Sequence, residues 1–132
     1  MDYSCGEYWG AMLNASLCKL LILRTVCEQP MHGYAIIWRL AAMTRQLCVP
    51  TQATVYPVLR EFERCGCLRS RSEMVHGRER RVYTATAKGR AGLAAGMHVW
   101  RRALARLNVV VRESGLRRKP VTRQEAKRSR QK

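Results

Sequence analysis

With 132 residues, 47 % of them apolar, the chain has room for one domain with a buried core and an arm or tail beyond it. Its 25 Lys and Arg against nine Asp and Glu give a net charge of +16, a field that favours polyanions, nucleic acid ahead of anionic membrane. The best apolar run, Leu20 to Leu23, is closed by Arg24, so no membrane span is expected; Asp2 and Glu7 stand where a secretory leader carries Lys, and a cytoplasmic, nucleoid-associated protein is expected.

Residues 1–11 read as an N-terminal arm. From Met12 to Glu28 the pattern predicts a helix, with Leu13, Leu17, Leu20, Leu21 and Val26 on its buried face. Gln29-Pro30 stops it, because proline disfavours helix in the residue before it. A second helix starts at His32-Gly33, with the His32 ring free to accept first-turn N–H groups and Ile36, Ile37, Leu40 and Ala41 turned inward. "TQATVYPVLREFERCG", residues 51–66, predicts a third helix that buries Val55, Val58, Leu59 and Phe62 and stops at Gly66. Pro57 lies inside it, so an irregular first turn is expected, with regular helix from near Thr54.

After Gly66 the period changes. "LRSRSEMV" and "RERRVYTAT" read as strands joined through His76-Gly77, and Thr86 caps a last helix from Ala87 to Val111. Three helices, a hairpin and a long helix make an α+β, mostly helical fold. This is the winged helix-turn-helix order, with residues 12–86 as the DNA-binding domain. Residues 112–132 hold nine Lys/Arg against two Glu and read as a basic, disordered tail, leaving +9 on residues 1–111.

In a helix-turn-helix the third helix enters the major groove with its N-terminal end toward the bases. Thr51, Gln52, Ala53 and Thr54 lie at that end: Gln pairs with adenine, and Ala or the Thr methyl meets the thymine methyl. Tyr56, Arg60 and Arg64 follow on the outward arc, Tyr56 and Arg60 placed as phosphate clamps; a half-buried core aromatic is the plainer alternative for Tyr56. Arg78, Arg80 and Arg81 sit on the wing, where arginine is favoured at the backbone or in a narrow minor groove. A merely solvated turn is the competing reading there.

On the last helix Leu93, Met97, Trp100, Leu104, Leu107 and Val111 follow a 4-3-4-3-4 spacing, a coiled-coil seam that points to a homodimer with two recognition helices about one duplex turn apart. Packing back on the first helix is the alternative. The six cysteines lack zinc spacing; Cys65-Gly66-Cys67 is a lone C-x-C, and neither a metal nor a cofactor is expected. Nor is an enzyme, since no phosphate loop, nucleophile elbow or carboxylate pair is present.

Over about residues 12–108 the chain resembles the PadR family of bacterial transcriptional regulators. "PMHGYAI" (30–36) is similar to the opening of that family's second helix, "ATVYPVLREFERCGCL" (53–68) to its recognition helix, and "GRERRVYTATAKG" (77–89) to its wing. Thr51-Gln52-Ala53 departs from the Ser-x-Gly that most members carry there, which implies a different base preference. The resemblance implies a repressor. It also implies that Trp100, with Met97 beside it on the seam, faces its two-fold mate and lines a cavity for small planar apolar ligands; a dry interface tryptophan is the alternative. Two other functions stay open: an architectural or plasmid-partition protein coating DNA with the same domain, and a thiol or metal sensor using Cys65 and Cys67.

Overall fold

The computed structural model describes residues 2–115. In chain order it has α1 (Gly6–Glu28), β1 (Met31–His32), α2 (Gly33–Met43), α3 (Gln52–Arg64), β2 (Leu68–Val75), β3 (Arg78–Ala85) and α4 (Ala87–Glu113). The strands form one antiparallel sheet in the order β1-β3-β2. Within these residues the chain divides into two compact units between His98 and Val99. The first holds the three short helices, the sheet and the start of α4.

α1 begins at Gly6, not at Met12, so half of the expected arm is helical. Its buried face keeps Val26 as expected but otherwise differs: Cys18, Ile22, Leu23 and Thr25 point inward, and Leu13 is 48 % exposed. Apolar residues run almost all round this helix, so periodicity cannot choose a phase and packing does. Thr25 is admitted to the core because its hydroxyl donates to the Leu21 carbonyl at 2.7 Å. Taken whole, α1 reaches a mean hydropathy of 1.4 over 18 residues, long and apolar enough by composition to cross a membrane, which the short Leu20–Leu23 run concealed. Its second half is nonetheless part of the core formed with Ile36 and Leu40 of α2, Val55 and Leu59 of α3, and Leu68, Tyr83 and Ala85 of the sheet.

β1 was not anticipated. It is two residues long, and pairs Met31 with Tyr83 and His32 with Val82, clipping the α1–α2 link to the sheet. The α2–α3 turn passes through Arg45 (φ 49°) and Gln46 (φ 67°), both left-handed. Thr44 steadies it: its hydroxyl donates to the Leu40 carbonyl at 2.7 Å and accepts the Cys48 N–H at 2.9 Å, which seats Cys48 in the core. α3 departs from the expected irregular start. Its first turn is closed by the Val55 N–H to the Thr51 carbonyl at 3.0 Å, and Pro57 lies one turn further in. The bond that Pro57 cannot make is to the carbonyl of Ala53, an exposed residue whose carbonyl solvent can satisfy.

The hairpin turn is as the residues require. His76 (φ 50°) and Gly77 (φ 74°) are both left-handed between the Val75–Arg78 pair, the two-residue type I′ geometry that matches strand twist. Thr86 then caps α4, accepting the Gly89 N–H at 3.1 Å while donating to the Gly66 carbonyl at 2.6 Å. This knot draws the α4 backbone so close to Cys67 that a Cβ on Gly89 would overlap the Cys67 carbonyl oxygen. Gly96 meets Leu20 similarly, where an added Cβ would lie 2.5 Å from Leu20 Cδ1.

Gly89→Ala is therefore expected to destabilise the protein by about 1–3 kcal/mol in urea unfolding, overpacking outweighing the helix propensity gained. Gly10→Ala, in α1 with open space around it, is expected to stabilise by about 0.5–1 kcal/mol. Equal effects from the two changes would remove the close approach as the reason for glycine at 89.

Candidate nucleic-acid interface

Burial of Val55 and Leu59, both without exposed surface, sets the rotation of α3. Its N-terminal end is thereby turned out: Thr51, Gln52, Ala53 and Thr54 are all exposed, with the Thr51 and Thr54 hydroxyls 3.3 Å apart. Arg60 and Arg64 are exposed further along the same helix. Tyr56 is not part of a free outward arc. It is half-buried, its ring packed over Gly33 so closely that a Cβ there would lie 2.7 Å from Tyr56 Cε1.

α3 and β3 border one groove of about 550 Å3, with Tyr56, Arg60 and Glu63 on the helix side and Glu79, Arg80, Arg81 and Tyr83 on the sheet side. Three guanidinium groups and two carboxylates converge there, a net positive cleft. Glu63 is spoken for: the Ser70 hydroxyl donates to it at 2.5 Å, Arg81 Nη1 donates to Ser70 Oγ at 2.7 Å, and Arg81 lies 3.8 Å from the Glu63 carboxylate. Burial pushes the Tyr83 phenol above its ordinary range, with the Glu63 charge adding to the effect, so Tyr83 stays neutral under the groove.

The wing arginines thus separate into three environments. Arg78 is exposed at the hairpin tip. Arg80 is half-buried, its guanidinium carbon 5.0 Å from the centre of the Tyr34 ring. Arg81 keeps to α3 through Glu63. Tyr34 and Glu63 were missed as supporting residues in the sequence; the aromatic spacing His32, Tyr34, Trp38 was the available signal. In the structure His32 stacks on Tyr34 at 5.4 Å, and Tyr34 meets Trp38 edge-on. The His32 ring makes no capping bond to α2; its Nδ1 is buried without a partner. On the back of α3, Lys19 of α1 pairs with Glu61 at 2.8 Å and holds that carboxyl below its usual range.

The proposed seam residues divide between the two units. In the first, Leu93 packs against the core and Met97 is half-buried, so Leu93 is committed inside the subunit. In the second, Trp100 is half-buried while Leu104, Leu107 and Val111 are 61 %, 56 % and 66 % exposed. Cys65 is exposed and Cys67 half-buried, and among the described residues no group of three His, Cys, Asp or Glu could hold a metal ion. Of the basic tail, residues 116–132 lie outside the described residues.

Residues 22–95 match the transcriptional regulator PadR-like family. The chain belongs to the PadR family of transcriptional regulators. It is 37 % identical over 89 residues to the transcriptional regulator Rv3488 of Mycobacterium tuberculosis, covering 67 % of this chain and 77 % of that protein. Among solved structures, smu.1704 of Streptococcus mutans superposes with a TM-score of 0.63 at 26 % identity, covering 80 % of this chain and 94 % of that one. A PadR family regulator of Eggerthella lenta reaches 0.71 at 22 % identity, over 80 % of this chain and 90 % of that one, a likeness of fold. The winged helix-turn-helix expectation therefore holds, and this PadR protein is a DNA-binding regulator, not an enzyme.

Within the groove Glu63 offsets part of the positive charge of Arg60, Arg80 and Arg81. Glu63→Gln keeps an acceptor for Ser70 and removes the charge facing Arg81. Affinity for duplex DNA at low salt, followed by fluorescence anisotropy, is expected to rise about threefold, and the salt dependence to steepen by about one phosphate contact.

Proposed function

We propose that this PadR protein is a homodimeric repressor that reads its operator through Gln52, Ala53 and Thr54 and is held in register by Arg60, Arg64 and the wing arginines Arg78, Arg80 and Arg81. The observation that carries this reading is the joint exposure of the α3 N-terminus and the arginine-lined groove beside it. Thr51 sits at the N-cap, where its hydroxyl can meet a phosphate. Tyr56, being half-buried over Gly33, serves as a groove wall whose hydroxyl edge meets the backbone. Basic residues 116–132 add sequence-independent attraction. The protein acts in the cytoplasm on nucleoid DNA.

Two copies associate through the apolar face of the second unit. Leu104, Leu107 and Val111 share the 3.5-residue repeat and are more than half exposed, a stripe that water disfavours and a second copy covers. Trp100 lies on the same repeat. Facing its mate, its indole offers a stacking surface for a small planar apolar ligand, and binding that differs between two arrangements of the dimer would alter DNA affinity.

Selection from random duplexes supplies the operator and separates a regulator from a protein that coats DNA, because only the former keeps its site against excess competitor. On that operator, Gln52→Ala is expected to relax preference at one base pair by roughly 1–3 kcal/mol. Arg78→Ala is expected to weaken all sequences alike and to lower the salt slope by about one. If Arg78→Ala changes the preferred sequence and Gln52→Ala does not, reader and clamp are exchanged.

Leu104→Glu places a charge in the stripe. Sedimentation is expected to show monomers, with operator affinity reduced at least tenfold; an intact dimer would place the interface elsewhere. A planar dye that binds Trp100→Ala as well as the parent protein removes the ligand from the reading.

A further inference from the structure

Two thiols meet in the core behind the recognition helix. Cys18 of α1 is 4 % exposed and Cys48, in the turn leading to α3, has no exposed surface; their sulfurs are 3.1 Å apart. The Cys18 thiol donates to Asn14 Oδ1 at 3.2 Å, which leaves its sulfur to accept the proton of Cys48. We propose that Cys18 and Cys48 are a built disulfide site, oxidised by a small peroxide to a bond that ties α1 to the entrance of the recognition helix.

The geometry needs little movement. A disulfide brings sulfurs to about 2.05 Å, so the pair has roughly 1 Å to close. Rotation of the two cysteine side chains, with a small shift of the turn that carries Cys48, would close it. Cys18 is the outer partner, beside the half-buried Asn14, and reacts first. Its thiolate attacks a peroxide oxygen, the O–O bond breaks, and a sulfenic acid and one water form. The Cys48 sulfur then attacks the Cys18 sulfur and displaces the second water. Two thiols lose two hydrogens in all, and one peroxide becomes two waters.

Burial and the bond to Cys18 push the Cys48 thiol up to about 12, so Cys48 rests as a thiol at neutral pH, and a pair so deeply buried admits only a small oxidant. The consequence lies in position. Cys48 is three residues before Thr51, the N-cap of α3, and a bond from Cys18 encloses the whole of α2 in a loop of about 30 residues. Oxidation therefore restricts the turn that aims the recognition helix. Neither Cys65 nor Cys67 takes part.

The test treats the full-length protein with hydrogen peroxide and maps the product by mass spectrometry of unreduced peptides. A Cys18–Cys48 linked peptide, loss of two hydrogens and a dithiothreitol-reversible rise in melting temperature on the order of 10 °C are expected. Hydrogen exchange across residues 44–51 should slow in the oxidised form. Cys18→Ala and Cys48→Ala should each abolish the rise, while Cys65→Ser with Cys67→Ser should keep it. The linked peptide in the unmutated chain decides the matter even if an alanine variant fails to fold. A bond between other cysteines, such as Cys27 with Cys67, or both thiols remaining open to alkylation after unfolding, would overturn the proposal. None of these outcomes depends on which DNA the protein binds.

Discussion

Burial of Val55 and Leu59 is the constraint on which the interface depends. Each contributes about 1.5–3 kcal/mol when withdrawn from water, and both lie on the same side of α3. That pair sets the helix rotation against Ile22, Ile36 and Leu40, and every other position on α3 inherits its direction. Gln52 and Thr54 face outward for that reason; the only side-chain hydrogen bond among the four exposed residues at this end joins Thr51 to Thr54. Tyr56, next to Val55, is caught between the two directions. Its ring rests on Gly33, the first residue of α2, and glycine at that position is what lets the two helices come so close.

Electrostatics on the wing solve a conflict between folding and binding. Arginines left free in solution lose rotamer freedom when DNA arrives, a cost set against each contact they form. Here Arg80 lies over the face of Tyr34, which fixes its direction without occupying its in-plane N–H donors. Those donors remain open to the phosphate contact proposed for Arg80. Arg81 is held differently, by Ser70 and the carboxylate of Glu63. Its side chain is 61 % exposed, and a pair so placed is worth about 0–1 kcal/mol, small enough for a phosphate to displace it. Both arginines are thus oriented in advance, and neither is locked.

The hairpin, the Thr86 cap and the helix order were legible because each has a local cause. His76-Gly77 can take the two left-handed conformations a two-residue turn requires, and Thr86 followed by Gly89 is a cap with a close approach after it. α1 was read in the wrong phase because "LCKLLIL" presents apolar residues in every direction, so only the partners in space choose among them. Cys18 and Cys48 illustrate the same limit more sharply. Thirty residues separate them, nothing in their spacing marks a pair, and the fold brings their sulfurs together. β1 and the contact of Tyr34 with Arg80 are likewise products of chain return; the aromatic spacing of His32, Tyr34 and Trp38 marks the cluster but not its partner. Pro57 was overweighted: its missing N–H matters little where the orphaned carbonyl belongs to exposed Ala53.

The apolar stripe of the second unit bears on specificity as much as on assembly. One recognition helix offers three candidate readers, Gln52, Ala53 and Thr54, and each matched base adds about 1–3 kcal/mol of discrimination. A single copy therefore separates its site from random DNA by about 3–9 kcal/mol at most, while the field of a +16 chain attracts all DNA alike. Joining two copies makes the second half-site contact intramolecular, so the discrimination of two helices combines and the nonspecific attraction is no longer the larger share. In the proposed dimer, Leu104, Leu107 and Val111 would therefore contribute to selectivity through association alone. The more basic the domain, the more its selectivity depends on that association.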